Sequence, residues 1–441
     1  MTLALPSRPT TVAVPAVVGA GLNVPLATGG QIQYANLDHA ASAPALISVQ
    51  DAVDELLPWY ASVHRGAGFA SQVSTRVYEK ARDVLRSFVG ARSRDTVVFT
   101  RNTTDSLNLL ARSLPQGTSV ILFDTEHHAA LLPWRGPHVQ RIQTPSCAGD
   151  ALIALNEALS SAPAGPRLVV VTGASNVTGE LWPVAELAAV AHRHGARVAL
   201  DAAQLAPHRR VDIKAWDVDY VALSGHKLYA PFGAGALIGR ADWLQAAPPY
   251  LAGGGATKLV SDQLGVAWSA VPERHEAGSP NVVGVHALAA ACKVLSSCWD
   301  DVEAHEVALL ERLRAGLRTI PGLAELSLFD GPRVGVVSFT IDGQDAGLIA
   351  AALSAEYGIG VRDGAFCAHI ATRRLLSKAG SSEQRALRAS LGLGSTPEHV
   401  DRLVNALRTL VTRGPALRYH LVDGRYAPVE DTRELPAFLQ L

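Results

Sequence analysis

Between about residues 36 and 300, short apolar runs rich in β-branched residues alternate with stretches of helical periodicity, and no other feature constrains the fold as strongly. The runs are Thr96 to Thr100, Ser119 to Asp124, Arg167 to Thr172, Arg197 to Asp201, Tyr220 to Leu223 and Gly235 to Gly239. Helical spacing appears between them, as in Val184 to His194. Strands that read as continuous apolar runs, separated by helices, predict a mainly parallel sheet covered on both faces.

After the Pro280-Asn281 turn signal the spacing predicts one long helix, roughly Val283 to Leu313. A second α/β block follows, with a strand over Gly335 to Ile341 and helices over Ala346 to Tyr357 and Val400 to Thr412. The 441 residues have room for two domains of ordinary size. The expected division is a leader over 1–35, docked or flexible, a large domain over 36–300, a smaller C-terminal α/β domain over 301–412 and a tail over 413–441.

The formal net charge is −1, with no basic stripe or acidic tail. Nucleic acid and membrane surfaces are therefore not expected as partners. Apolar runs such as Leu168 to Thr172 fall far short of the ~20 residues that span a bilayer. The leader has Arg8 but no apolar core followed by a cleavage site. The four cysteines, Cys147, Cys292, Cys298 and Cys367, show no CxxC metal spacing, so no metal is expected. Their sparse use suits a reducing cytoplasm.

In an open parallel sheet, ligands sit beyond the carboxyl ends of the strands. One strand there ends in Asp201-Ala202-Ala203-Gln204, and the next in Ser224-Gly225-His226-Lys227. An acid closing one strand and a lysine just past its neighbour would face a common pocket. Pyridoxal phosphate needs such a pair: an amine to form the Schiff base, and a carboxylate to keep the pyridine nitrogen protonated so that the ring acts as an electron sink. A surface lysine beside a helix-capping aspartate would leave the same residues. The run Thr100-Arg101-Asn102-Thr103-Thr104-Asp105-Ser106 opens a helix, an anion site suited to the cofactor phosphate or a plain N-cap at Thr103 or Thr104. His127 could stack on a planar ring or be structural. A nicotinamide enzyme is disfavoured, since Gly233 and Gly235 come late and no GxGxxG follows a first strand.

The segments Asn36-Leu37-Asp38-His39-Ala40-Ala41-Ser42, His64-Arg65-Gly66, Glu126-His127-His128-Ala129 and Ser175-Asn176, with the runs quoted above and Glu276-Ala277-Gly278-Ser279-Pro280-Asn281, resemble class V aminotransferases. Within that superfamily the chain is most similar to the group II cysteine desulfurases, over roughly residues 34 to 412. The resemblance implies fold type I, with a mainly parallel seven-stranded-type sheet between helices, and pyridoxal 5'-phosphate as cofactor. It makes Lys227 the Schiff-base lysine, Asp201 the partner of the pyridine nitrogen and Gln204 a donor to the phenolic oxygen. His127 would stack on the ring, ahead of His128, with Asn176 near its substituents. Thr103, Thr104, Ser224 and His226 would hold the phosphate, and Ser279 would reach the phosphate of a second subunit in a homodimer. Arg388 matches the family's carboxylate-binding arginine; Arg362 and Ala40 would flank the substrate.

The segment Arg362-Asp363-Gly364-Ala365-Phe366-Cys367-Ala368-His369 occupies the place of the desulfurase loop with the persulfide-forming cysteine. It departs from that pattern, because the polar, often histidine-bearing positions before the cysteine are Ala365 and Phe366. An apolar loop disfavours a thiolate. Leu391-Gly392-Leu393-Gly394 also replaces a tyrosine- and asparagine-containing turn. Cys367 is therefore either a sulfur-accepting nucleophile or a small buried residue.

Three functions follow. The first is a cysteine desulfurase passing sulfur to an acceptor, or a C–S lyase on a cysteine derivative. The second keeps the cofactor as an aminotransferase, an epimerase or a decarboxylating enzyme of specialised metabolism. The third is a non-catalytic binding protein on the same fold.

Overall fold

The structure is a computed structural model, and it describes residues 14–263 and 265–439. Its centre is a seven-stranded sheet in the order Thr96–Thr100, Gly235–Gly239, Tyr220–Ser224, Arg197–Asp201, Arg167–Thr172, Ser119–Phe123, Val139–Ile142. All pairings are parallel except those of Gly235–Gly239, which runs antiparallel to both neighbours. Successive residues point to opposite faces, and both faces are covered. Val169, Val171, Val198, Leu200, Val221 and Leu223 pack into one buried cluster. Their neighbours Leu168, Val170, Ala199 and Ala222 pack into another. This is the mainly parallel α/β sheet expected from the apolar runs.

The expectation missed strand Val139–Ile142, whose two central residues, Gln140 and Arg141, are exposed. It lies at the sheet edge, where one side meets water and the apolar signature disappears.

The long helix expected over Val283 to Leu313 is corrected to two, Val282–Ser297 and Trp299–Leu317, which meet at Cys298 with a bend of 80°. Apolar periodicity runs through the break, but capping does not. Asp300 and Asp301 fill the first turn of the second helix, where its positive end favours them. Trp299 packs into the core beside Phe88 at a centroid distance of 5.8 Å.

A second, four-stranded sheet has the order Leu323–Glu325, Val336–Ile341, Ala386–Ser390, Arg362–Gly364, all antiparallel. Helices Trp299–Leu317, Ala346–Tyr357 and Pro397–Arg413 contribute to its apolar core, with Leu313, Ile349, Leu353, Leu403 and Leu407 buried against Val337 and Phe339. Residues from both ends of the chain dock on this part. Strand Ala35–Asn36 pairs in parallel with Ile359–Gly360, and the Ala27 N–H donates to the carbonyl of Ala355 at 2.8 Å. The hairpin Tyr419–Val422 with Arg425–Pro428 is tied down by the Glu356 carboxylate, which accepts from Ala416 N, Leu417 N and the Tyr419 hydroxyl. Residues 1–13 of the leader and 440–441 of the tail lie outside the described residues. No single helix among the described residues is long and apolar enough to cross a membrane.

Candidate active site

Register places the central pair of side chains. In the parallel ladder Thr172 is opposite Asp201, and Asp201 is opposite Ala222. The carboxyl ends of three adjacent strands therefore lie side by side, and Lys227 follows the third after one turn. Together they floor a cavity of about 200 Å³.

Asp201 and Lys227 both line this cavity, as do Gln204, Ser224, His226, Thr103, Thr104, His127 and Asn176. The Lys227 Nζ donates to Gln204 Oε1 at 3.1 Å. Burial pulls this amine down to about 8; Asp201 opposes the shift, while Arg388 and Arg362 add to it. Asp201 is 4% exposed, and burial raises its carboxyl while the Ala203 N–H, at 2.9 Å, and Lys227 hold it down. Glu126, buried directly before His127, accepts from Thr172 N at 3.1 Å, and burial beside Asp201 pushes its carboxyl well up.

His127 caps a short helix: its Nδ1 accepts from the Ala129 N–H at 3.0 Å, which leaves the proton on Nε2. Burial, then the nearby Lys227, lowers the ring to about 3, so it stays neutral.

Helix Thr103–Arg112 starts at the cavity. Its N-cap is Asn102, which accepts from Asp105 N, and not Thr103 or Thr104. Those two threonines are thereby left free of the capping duty. Ser224 Oγ accepts from Thr103 N at 2.8 Å and donates to Thr103 Oγ1 at 2.9 Å. The first turn of the helix and the hydroxyls of Thr103, Thr104 and Ser224 converge here, a donor set for an anion.

The opposite wall comes from the second sheet. Ala40, Arg362, Phe366, Cys367 and Arg388 line the same cavity. Arg388 is 3% exposed, so a surface ion-pair role is ruled out. Its Nη1 donates to Asn176 O at 2.9 Å, its Nη2 to Asp38 Oδ1 at 3.1 Å, and its guanidinium lies 5.0 Å from the Phe366 ring centre.

Cys367 is exposed, against its reading as a small buried residue. Phe366 and Cys367 are both left-handed, with φ of 53° and 54°. Two such non-glycine residues in succession are a local strain that the surroundings must impose. They do so by capturing both carbonyls: Asn176 Nδ2 donates to Phe366 O at 2.7 Å, and His128 N to Cys367 O at 2.8 Å.

Ser279 is the one candidate outside this cavity. It lines a second cavity of about 600 Å³ with His64, Arg65, Gly255 and Gly278. Asn102, Ala203 and Phe366 line the first cavity without having been singled out. Asn102 carried a usable signal, as an N-capping residue type three before Asp105. Phe366 carried none beyond being apolar.

The turn Leu391-Gly392-Leu393-Gly394 has a packing reason. A Cβ on Gly392 would come within 2.4 Å of the buried His39 ring, and Leu393 N donates to the Tyr229 hydroxyl at 3.0 Å. His39 thus fills space that a larger residue at 392 would need.

The chain is similar to known proteins over most of its length. The family profile described as "Aminotransferase class-V" matches residues 35–403. The chain is 37% identical to a cysteine desulfurase of Dickeya dadantii over 388 residues, 85% of this chain and 92% of that protein. It is 35% identical to the cysteine desulfurase of Escherichia coli strain K12 over 394 residues, 86% of this chain and 94% of that protein. Among solved structures it is similar to the cysteine desulfurase CsdA of E. coli, with a TM-score of 0.74, 32% identity and coverage of 85% and 94%. A cysteine desulfurase from Thermococcus onnurineus NA1 gives a TM-score of 0.76 at 32% identity, covering 86% and 94%.

Proposed function

The chain belongs to the class V aminotransferase family as a pyridoxal-phosphate enzyme of the cysteine desulfurase and C–S lyase type, and from that premise we propose that it desulfurates cysteine, with Cys367 receiving the sulfur. The observation that carries the reading is that the exposed Cys367 opens on the same cavity as Lys227 and Asp201.

The donor set fits the cofactor. Asp201 keeps a buried carboxylate toward the cavity, and Lys227 keeps an amine pulled down to about 8. Lys227 would hold the cofactor covalently and Asp201 its ring nitrogen, with Gln204, His127 and Asn176 around the ring. Thr103, Thr104, Ser224 and His226 would hold the phosphate. Bound there, the group supplies an electron sink for charge developing at the substrate Cα.

The chain's own residues supply the rest. Arg388, buried and aimed by Asn176 and Asp38, would bind the substrate carboxylate, with Ala40 and Arg362 beside it. A lysine pulled toward neutrality is suited to take the Cα proton on Nζ. The Cys367 sulfur attacks the substrate sulfur, whose bond to carbon breaks; alanine leaves and a persulfide stays on Cys367 for an acceptor. His127, held neutral with its proton on Nε2, can donate but not repel a cationic neighbour.

We read residues 36–300 as the cofactor domain and 301–412 as the domain that brings Arg362, Cys367 and Arg388 to it. The exposed Ser279, set in its own cavity, supports a homodimer in which it reaches the phosphate of a second copy. Four free cysteines suit a cytoplasmic setting.

A C–S lyase is the second reading, favoured by the apolar Ala365-Phe366 approach to Cys367. A product assay with cysteine and S-substituted cysteines decides. With a thiol reductant added to release the persulfide sulfur, desulfuration yields alanine and sulfide, and Cys367→Ala lowers both by about a hundredfold or more while leaving the visible cofactor band unchanged. Pyruvate and ammonia, indifferent to that substitution, would sink the desulfurase reading.

A further inference from the structure

Arg362 and Arg388 are directly opposed on neighbouring antiparallel strands. Like charges in that position destabilise a sheet, and Arg388, 3% exposed, has little water to screen it. A third group answers the conflict. Asp38 Oδ1 accepts from Arg388 Nη2 at 3.1 Å, and Asp38 Oδ2 lies 3.7 Å from Arg362 Nη1.

Asp38 is held there by backbone bonds rather than by its own side chain. Leu37 N donates to Gly360 O at 2.8 Å, on the approach to Arg362, and Ser390 N donates to Leu37 O at 2.7 Å, next to Arg388. Ala40 N donates to Ser390 Oγ at 2.9 Å. The carboxylate therefore arrives between the two guanidiniums whenever the second sheet forms. Two cations and one anion leave a single unpaired positive charge at the cavity wall. On the other wall Lys227 and Asp201 are, in the reading above, both engaged by the cofactor.

We propose that Asp38 is the positioning residue of the carboxylate subsite: wedged between Arg388 and Arg362, it holds the pair side by side and sets their surplus to one charge, so that the subsite accepts a single carboxylate and discriminates against dianions. The proposal rests on the reading of Arg388 as the carboxylate-binding residue.

The test uses the cofactor-loaded enzyme and two unreactive competitors, propionate with one carboxylate and malonate with two. Inhibition constants against cysteine are measured for wild type, Asp38→Asn and Asp38→Glu. Asp38→Asn shifts the ratio of the two constants about tenfold toward malonate, the scale of one partly screened charge, and Asp38→Glu restores it. A role in stability alone weakens both competitors together and leaves the ratio where it was; that outcome overturns the proposal. Should Asp38→Asn fail to load cofactor, Arg362→Gln at the exposed end of the triad carries the test, moving the ratio the opposite way. A fixed ratio there is equally fatal. Arg388→Lys separates the two layers: a raised KM for cysteine supports the underlying reading, and an unchanged KM removes it and the proposal together.

Discussion

On one wall of the cavity Lys227, Asp201 and Gln204 hang from adjacent parallel strands whose residues are almost wholly buried; on the other, Cys367 stands exposed on a loop. The first wall acts through desolvation, which needs no strain. Burial brings the lysine down to about 8, and Asp201 is poised against it. The second wall acts through conformation: two left-handed residues in a row, with both carbonyls tied by Asn176 and His128, present a thiol to solvent and cavity alike. Shielding suits a group that must titrate near neutrality, and exposure would suit Cys367 if, as proposed, it hands sulfur to another molecule. The contrast teaches that the two tasks need opposite surroundings within one cleft.

The sharpest way to break the comparison is at its buried end. Lys227→Ala should abolish the visible cofactor band and lower turnover by about a thousandfold or more, read by absorbance before and after borohydride reduction. A variant that stays yellow and active would show that the amine at the cavity floor is not the attachment point.

The pH dependence of the apoprotein sharpens it. The folded amine at about 8 lies below the 10.5 of a free lysine, so the folded state releases its proton first. Below about 8 both folded and unfolded chains carry the charge, and the full cost of burying it is present. Between about 8 and 10.5 that cost disappears, so the contribution of this group to apoprotein stability rises with pH. Because only the neutral amine attacks a carbonyl, stopped-flow capture of pyridoxal phosphate should speed up about tenfold between about pH 7 and pH 9, then level off. Capture that is flat across this range would place the amine's titration elsewhere.

The smallest effect belongs to the strained wall. Glycine occupies φ near 54° without penalty, and the exposed Cys367 side chain gives up little packing. Cys367→Gly should therefore stabilise the protein by about 0.5–1 kcal/mol, measured by thermal or urea unfolding against Cys367→Ala, which gains nothing. Equal stability of the two variants would remove strain from the account.

How much was legible varies by element. The central strands could be read because parallel, doubly covered strands must be apolar throughout. Val139–Ile142 escaped because an edge strand carries polar residues, and Ala386–Ser390 escaped because Arg388 interrupts its apolar run. The bend at Cys298 escaped because periodicity reports which residues are apolar, not whether the axis continues. Asn102 capping the helix in place of Thr103 or Thr104 is a shift by one or two positions, within the resolution of capping signals.

By itself the sequence determined the alternating layers, the acid and lysine at neighbouring strand ends, and the family, because strand periodicity and motif order are local properties of the chain. Only the tertiary structure decided that Arg362 and Arg388 stand opposite one another with Asp38 between them, that Cys367 opens on the lysine's cavity, and that Ser279 does not. Asp38 and Arg388 are 350 residues apart in the chain. Nothing in the spacing of either segment encodes their meeting, which follows from the docking of residues 37–38 along the second sheet, where Leu37 bonds to Gly360 and Ser390.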